Sequence, residues 1–455
     1  MKTLLNRVLV TLLVLSLLVS SSAQLFAKPA MAADEDYQDM KIGVMSDVHF
    51  QTAAGCTAES TFPLMLEQYK ADNVDVIMIT GDIGYACEDL EYEKFWDAWH
   101  SVFPDEETAP KLFVVSGNHE YDRVVFGKEE LQVAQERFMN VFGLDEMNQH
   151  MVVNGYHFIS INSEDGSTHG LYTEVSATWL KQQLDIAVAE NPNMPIFVTA
   201  HQPLPNTTYG SEWGGSKTAA LYEVLKDYPQ VVYFAGHSHY ASESERSIFQ
   251  EFFTCVDVTS LNYMSLEDGN HGYQSQGALL VTVNGADKQI VIDRYKIDHA
   301  EEGDSVVKIK EPWVLNLPLN PDEFTYTNAR AEGRTAPTFA EGSALTISDV
   351  TFATAKIAFP AATHDDYVHN YNIRIKLGDA VVLEKLVNGD FYQPADKQKA
   401  TWTVPVEGLE PDTTYTVEVT AEESFGKESL PLVAELPPIL PWIRLSSMTP
   451  WTTST

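Results

Sequence analysis

This sequence has few cysteines, few positive charges and a single long hydrophobic run. Its 455 residues include three cysteines, so at most one internal disulfide can form and a disulfide-built scaffold is excluded. The sequence leaves open whether Cys56 pairs with Cys87 or whether both stay unpaired, as Cys255 would. Lysine and arginine number 29 against 65 aspartates and glutamates, which gives a formal net charge of −36. A nucleic-acid backbone or an anionic membrane is therefore not an expected partner.

The hydrophobic run lies near the start of the chain. Two positive charges precede a largely apolar core, Val8–Val19, and Ala30-Met31-Ala32 matches the A-x-A pattern of a cleavage site. These features predict a signal peptide over residues 1–32 and a short mature segment over 33–40. We expect a secreted, extracellular protein with no stable membrane insertion after cleavage, because the core is too short to span a bilayer comfortably. An uncleaved anchor is the alternative.

Length and composition predict two folded domains, since 455 residues exceed what a single core usually supports. Helical spacing of apolar residues recurs in the first part of the chain and disappears beyond about Val314. We expect a first domain over 41–318, a linker over 319–336, a second domain over 337–437 and a tail over 438–455.

In the first domain, five short β-rich runs each end in small residues followed by side chains that can bind metals. The runs are 41–45, 74–80, 112–115, 195–199 and 231–235. The side chains that follow them are Asp47, His49, Asp82, Asn118, His119, His201, His237 and His239. In open α/β sheets ligands bind beyond the carboxyl ends of the strands, so these side chains are expected to meet at one rim.

The chemistry of this set predicts two metal ions. Carboxylate, amide and imidazole groups without thiolate suit Mn, Fe or Zn, and paired ions can clamp the attacking and leaving oxygens of a phosphoryl displacement. Each block alone has a simpler reading, because Asn118 could cap a helix and His201 could be an ordinary loop histidine. The five blocks together favour the metal site.

Apolar residues at helical spacing lie between these runs. They predict helices over 87–103, 128–142, 177–189 and 217–228, and paired strands over 277–283 and 289–295. The expected fold class is α/β, a two-sheet αββα sandwich followed by a small all-β sandwich.

The order D-x-H, G-D, G-N-H-E, H, G-H-x-H resembles that of the calcineurin-like metallophosphoesterase superfamily, over roughly Lys41 to Pro318. The resemblance implies two divalent or mixed-valence ions of Mn, Fe or Zn. Asp47, His49 and His239 would bind the first ion, Asn118, His201 and His237 the second, and Asp82 would bridge both. His119 would contact a small-molecule phosphoester and protonate its leaving oxygen, and a hydroxide between the ions would be the nucleophile.

Tyr85 marks a departure within this resemblance. The block Gly81-Asp82-Ile83-Gly84-Tyr85 is also found in purple acid phosphatases, where the tyrosine binds ferric iron, but those enzymes have glycine where this chain has His49. We therefore interpret Tyr85 as a rim or packing residue. Among the remaining histidines, His169 and His271 are weak candidates for the substrate pocket.

Alternating residues dominate the second domain. The segment Leu409–Tyr415, followed by Gly426, resembles a fibronectin type III domain over about Pro337–Pro437, with Tyr415 as its corner tyrosine. A different β-sandwich is the alternative. We expect a spacing role or a contact with a cell surface or polymer, and no catalytic group is apparent there.

The expected function is that of a secreted, metal-dependent phosphoester hydrolase. A catalytically silent scaffold on the same fold, or an enzyme like the purple acid phosphatases, is the alternative. A purely adhesive protein would leave the metal-binding set unexplained.

Overall fold

The computed structural model describes residues 37–267, 271–272, 275–301 and 303–438. The predicted signal peptide and the tail beyond Pro438 lie outside these residues. Within the described ranges, no helix is both long enough and apolar enough to cross a membrane.

Two six-stranded sheets form the first domain. The first has the order β14-β13-β12-β1-β2-β3, in which β1, β2 and β3 are parallel. Its strands are β1 (Met40–Met45), β2 (Val76–Ile79), β3 (Lys111–Val114), β12 (Gly277–Asn284), β13 (Gln289–Ala300) and β14 (Gly303–Asn316). The second has the order β4-β5-β6-β7-β9-β8, in which β5, β6, β7 and β9 are parallel. Its strands are β4 (Gln149–Val153), β5 (Tyr156–Ser160), β6 (Ile196–Thr199), β7 (Val231–Ala235), β8 (Ile248–Gln250) and β9 (Thr254–Asp257). A separate two-stranded antiparallel sheet consists of β10 (Met264–Ser265) and β11 (His271–Gly272).

Helices cover these sheets and complete the αββα layers. They are α1 (Ala58–Asp72), α2 (Asp89–Val102), α3 (Asp122–Val125), α4 (Leu131–Phe142), α5 (Glu174–Glu190) and α6 (Ala219–Leu225). Apolar residues spaced three or four apart point into the core, as Leu180 and Leu184 of α5 do. Between the sheets, Phe113 of β3 contacts Phe158 of β5, with ring centroids 5.9 Å apart.

The second domain is a small antiparallel β-sandwich. One sheet has the order β15-β16-β19 and the other β18-β17-β20-β21. Its strands are β15 (Thr346–Ser348), β16 (Thr354–Pro360), β17 (Asn370–Leu377), β18 (Ala380–Asn388), β19 (Thr401–Glu407), β20 (Tyr415–Glu422) and β21 (Leu432–Leu436). The Tyr415 hydroxyl accepts a hydrogen bond from the Glu410 amide at 2.9 Å, the contact of a corner tyrosine.

The segment predicted as a linker packs against the first domain. The Gln250 amide donates to the Tyr326 carbonyl at 2.9 Å. The Arg330 guanidinium donates to the carbonyls of Glu245 and Ile248 at 2.9 and 2.7 Å. These bonds tie the start of the sandwich to the first domain.

Candidate metal centre

Loops at the carboxyl ends of five strands carry the candidate ligands. Asp47 follows β1, Asp82 follows β2, Asn118 follows β3, His201 follows β6, and His237 and His239 follow β7, each within four residues of the strand end. All seven candidates, including His49, are buried or half-buried. The structure therefore brings together side chains that span nearly two hundred residues of sequence.

Tight backbone geometry turns these side chains inward. Asp47, His49, Asp82, His237 and His239 all have positive φ, between 53° and 69°. Non-glycine residues seldom adopt this conformation, and strained residues cluster at functional sites. Glycine is required next to them, because a Cβ on Gly117 would collide with Asp82 Oδ1.

The candidate ligands form two groups that share Asp82. In the first group, the donor atoms of Asp47, His49, Asp82 and His239 lie within 4.8 Å of one another. His239 Nε2 is 3.0 Å from Asp47 Oδ1 and 3.2 Å from His49 Nε2. In the second group, Asp82 Oδ2 lies 3.2 Å from His201 Nε2, and His237 completes the cluster.

Neighbouring backbone groups orient the ligands. His201 Nδ1 lies 2.8 Å from the Thr80 carbonyl and His239 Nδ1 lies 2.9 Å from the Tyr263 carbonyl, so each ring points its Nε2 at the centre. Metal-binding histidines typically fix their tautomer and orientation by donating one ring N–H to a backbone carbonyl or carboxylate.

Unpaired buried atoms indicate what the centre holds. Asn118 Oδ1 and His237 Nε2 are buried without a hydrogen-bond partner, and Asp47 Oδ1 and His201 Nε2 lie near other ligand atoms but not in hydrogen-bond geometry. Buried polar atoms normally have hydrogen-bond partners. Four buried nitrogen and oxygen atoms without such partners, all at one place, indicate a binding site for cations. The donors are oxygen and nitrogen only, and the residues present fit two ions of Mn, Fe or Zn.

Electrostatics keep three of the ligands, His49, His237 and Asp82, in forms that bind metal at neutral pH. Burial lowers the pKa of His49 and of His237 to about 3, so both imidazoles are neutral at pH 7. Burial would raise the pKa of Asp82, but His201 and His119 outweigh it and hold that pKa well below its usual range.

His201 predicts a pH-dependent metal affinity. Burial lowers its pKa, but the carboxylates of Asp82 and Asp47 outweigh burial and raise it to about 9. A proton and a metal ion therefore compete for His201 Nε2 below that pH. We expect apparent affinity to rise about tenfold per pH unit towards pH 9 and then level off. Titration calorimetry at pH 7 in buffers of different ionisation enthalpy should show proton release on binding, and identical heats in every buffer would contradict this.

His119 lies beside the centre. Its Nδ1 is 2.7 Å from the Tyr85 carbonyl and 3.1 Å from Asp122 Oδ2. Burial lowers its pKa, but Asp82 and Asp122 outweigh burial and raise it to about 10. In the chain without bound ions the ring is therefore protonated at neutral pH, the state that a general acid requires. Tyr85 stacks on this ring at 5.0 Å and is 42% exposed, which places it at the rim.

Glu120 has a structural role that the sequence motif alone does not reveal. Its buried carboxylate accepts hydrogen bonds from four backbone amides, those of Asp82, Ile83, Gly84 and Gly117, at 2.7–3.0 Å. It thereby joins the loops that carry Asp82 and Asn118. In the sequence, the only indication of this role was the position of Glu120 directly after His119 in the G-N-H-E block.

A cleft of about 350 Å³ opens onto the centre. Trp213, Tyr240 and Tyr263 contribute aromatic walls, and His119 lines it as well. His169 lies near this cleft, with Nδ1 2.8 Å from the Trp213 carbonyl. The side chain of His271 is outside the described part of the structure.

All three cysteines are free, so the Cys56–Cys87 pair does not form.

The fold and this centre define a metal-dependent phosphoesterase architecture. Residues 40–241 match the family model for calcineurin-like phosphoesterases, and the chain contains a calcineurin-like metallophosphoesterase domain.

The solved structures that match this chain share little sequence with it. A dimetal phosphatase from Danio rerio is 12% identical, covering 60% of this chain and 99% of its own, with a TM-score of 0.39. A purple acid phosphatase from yellow lupin (Lupinus luteus) seeds is 14% identical, covering 61% and 54%, with a TM-score of 0.42. The fibronectin type III domain of the human collagen alpha-1(XX) chain is 21% identical, covering 25% and 94%, with a TM-score of 0.17. No curated protein matches the sequence.

Proposed function

We propose that this protein is a secreted phosphoester hydrolase, a phosphatase or phosphodiesterase, that acts with two metal ions. The observation that carries the proposal is the shared-carboxylate cluster with four orphaned buried donors. Asp47, His49 and His239 would hold one ion, and Asn118, His201 and His237 the other, with Asp82 between them. When bound, such ions make hydroxide available near neutral pH and clamp the attacking and leaving oxygens of a phosphoryl displacement.

The chain's own residues supply the remaining parts of the reaction. Nδ1 of His119 donates to the Tyr85 carbonyl and to Asp122, which leaves Nε2 as the nitrogen available to the cleft that this residue lines. A proton held there would pass to the leaving oxygen. The aromatic side chains of Trp213 and Tyr263 line the same cleft and would flank a bound ester.

The two alternative functions would require different features of the site. A catalytically silent scaffold does not need the complete donor set, whereas here six candidate ligands form the two groups and Asn118 lines the same cleft with its Oδ1 buried. An enzyme like the purple acid phosphatases would use Tyr85 as an iron ligand, whereas this Tyr85 stacks on His119.

Turnover with and without metal tests the proposal. Chain stripped with a chelator should hydrolyse neither nitrophenyl phosphate nor bis-nitrophenyl phosphate, and addition of Mn, Fe or Zn should restore hydrolysis of at least one. A re-metallated chain that binds ions and cleaves neither ester nor other phosphoesters would support the scaffold instead.

Export is proposed from the N-terminal pattern. Protein recovered from the culture medium should begin at Ala33, or after a small residue upstream such as Ala23 or Ala27, when its N-terminus is sequenced. Full-length chain confined to the cytosol would refute this prediction.

A further inference from the structure

The segment Tyr263–Glu267 connects the metal centre to the second domain. At one end, the Tyr263 carbonyl accepts from His239 Nδ1 at 2.9 Å, and the Ser265 amide donates to the His239 carbonyl at 2.9 Å. The Tyr263 ring also packs on the His239 ring at 4.3 Å. This segment therefore sets the direction in which His239 Nε2 points.

At its other end, the segment is held by the carboxylate of Glu267. Oε2 accepts from the Tyr209 hydroxyl at 2.6 Å and from Asn388 Nδ2 at 2.9 Å. Oε1 lies 2.9 Å from His369 Nε2 and accepts from the Arg246 guanidinium at 3.4 Å. His369 and Asn388 belong to the β-sandwich, so a group more than a hundred residues away fixes a wall of the cleft.

The sandwich holds His369 rigidly. Its backbone amide donates to the Glu422 carbonyl at 2.8 Å, and its ring stacks on Phe391 at 5.2 Å with an interplanar angle of 25°. The side chain is only 5% exposed. A residue anchored in this way can impose a position on its partner Glu267.

A second series of ring contacts leads from His369 to the cleft. The His369 ring packs on Tyr209 at 5.3 Å, and Tyr209 packs on Tyr240 at 4.4 Å. Tyr240 directly follows His239 and lines the cleft. Two sets of contacts, one through Glu267 and one through Tyr209, thus lead from His369 to the same candidate metal ligand.

Further contacts fix the two domains against each other. Lys296 of β13 donates to Glu243 at 2.7 Å and also to the Tyr392 carbonyl of the second domain. Lys310 of β14 lies over the Tyr367 ring at 4.3 Å. A sandwich that only spaced the first domain from a surface would not need such contacts.

We propose that the C-terminal β-sandwich is a structural part of the metal centre, in which His369 and Asn388 are positioning residues that hold Glu267 and thereby orient His239. This inference rests on the proposed role of His239 as a metal ligand. It assigns to the second domain a function other than attachment.

The test uses the full chain with His369→Ala and Asn388→Ala, and His369→Gln as the conservative variant. Glutamine can still donate an amide hydrogen to Glu267. Lys376→Ala is the matched control, because it removes a 2.6 Å ion pair with Glu418 that joins β17 to β20 within the second domain. Ions retained after dialysis are counted by elemental analysis, and kcat and KM are measured with nitrophenyl esters.

His369→Ala and Asn388→Ala should each weaken retention of one of the two ions by about 10–100-fold, the usual effect of losing a group that orients a ligand. The other ion should stay, kcat should fall more than KM rises, and His369→Gln should recover most of both. Wild-type retention in both alanine variants would overturn the proposal. So would equal loss of both ions in these variants and in Lys376→Ala, since that pattern reports general destabilisation. Because retention is read without turnover, a wild type that binds two ions but cleaves no ester would refute the hydrolase and leave this test intact.

Discussion

Replacing Asp82 with asparagine is expected to remove both metal ions and reduce turnover to background. Asp82 belongs to both groups of donor atoms, so its charge is lost from both sites at once. The loss should exceed the roughly 10–100-fold that follows when a residue merely orients a ligand. Elemental analysis and ester hydrolysis measure the two effects.

Two further variants test whether the loss of both ions is specific to Asp82. His49→Ala should impair mainly the first group, because His49 belongs to that group alone. Asp390→Asn is the matched control, since Asp390 is also a buried carboxylate but pairs with Lys399 in the second domain at 2.9 Å. If Asp82→Asn retains one ion at wild-type affinity, the shared-ligand assignment is wrong.

Replacing His119 with alanine is expected to slow the reaction without removing metal. Its neighbour Asn118 is the proposed ligand, and the ring of His119 bonds Tyr85 and Asp122. General-acid assistance contributes about 10²–10⁴-fold, so kcat should fall by that order for alkyl esters. The loss should shrink for nitrophenyl esters, because nitrophenolate leaves without a proton.

The dependence on leaving group distinguishes a proton donor from a residue that only grips phosphate. His100→Ala is a suitable control, since His100 lies on α2 with its side chain 47% exposed. Metal loss in His119→Ala, or an equal loss of rate for good and poor leaving groups, would show that His119 is not the acid.

Local patterns were sufficient to predict the metal-bearing loops. The run 41–45 became β1 and the run 231–235 became β7, because short β-rich runs bounded by small residues favour buried strands. Asn154-Gly155, a dipeptide typical of tight hairpin turns, lies between β4 and β5 with φ of 50° and 83°.

Other elements had weaker local signals. Helix α1 has no counterpart among the predicted helices, although Phe62, Met65, Leu66 and Tyr69 follow helical spacing, because Pro63 interrupts the run. Strand β14 is mostly exposed and polar, so it lacks the apolar alternation of a half-buried strand.

Distant contacts between residues outside any motif could not be predicted. Glu267 meets His369 across 102 residues, and neither stands in a motif. The predicted linker carries Arg330, whose carbonyl partners on the first domain become visible only once both segments are folded. Without knowledge of these contacts, only a spacing or attachment role could be expected for the sandwich.

Metal content of the purified wild-type chain tests the account most directly. Protein saturated with Mn, Fe or Zn and then dialysed should retain about two ions per chain by elemental analysis, since the donors form two groups around one carboxylate. The same measurement on Asp82→Asn should approach zero. Fewer than one ion per wild-type chain under all three metals would contradict the two-metal centre.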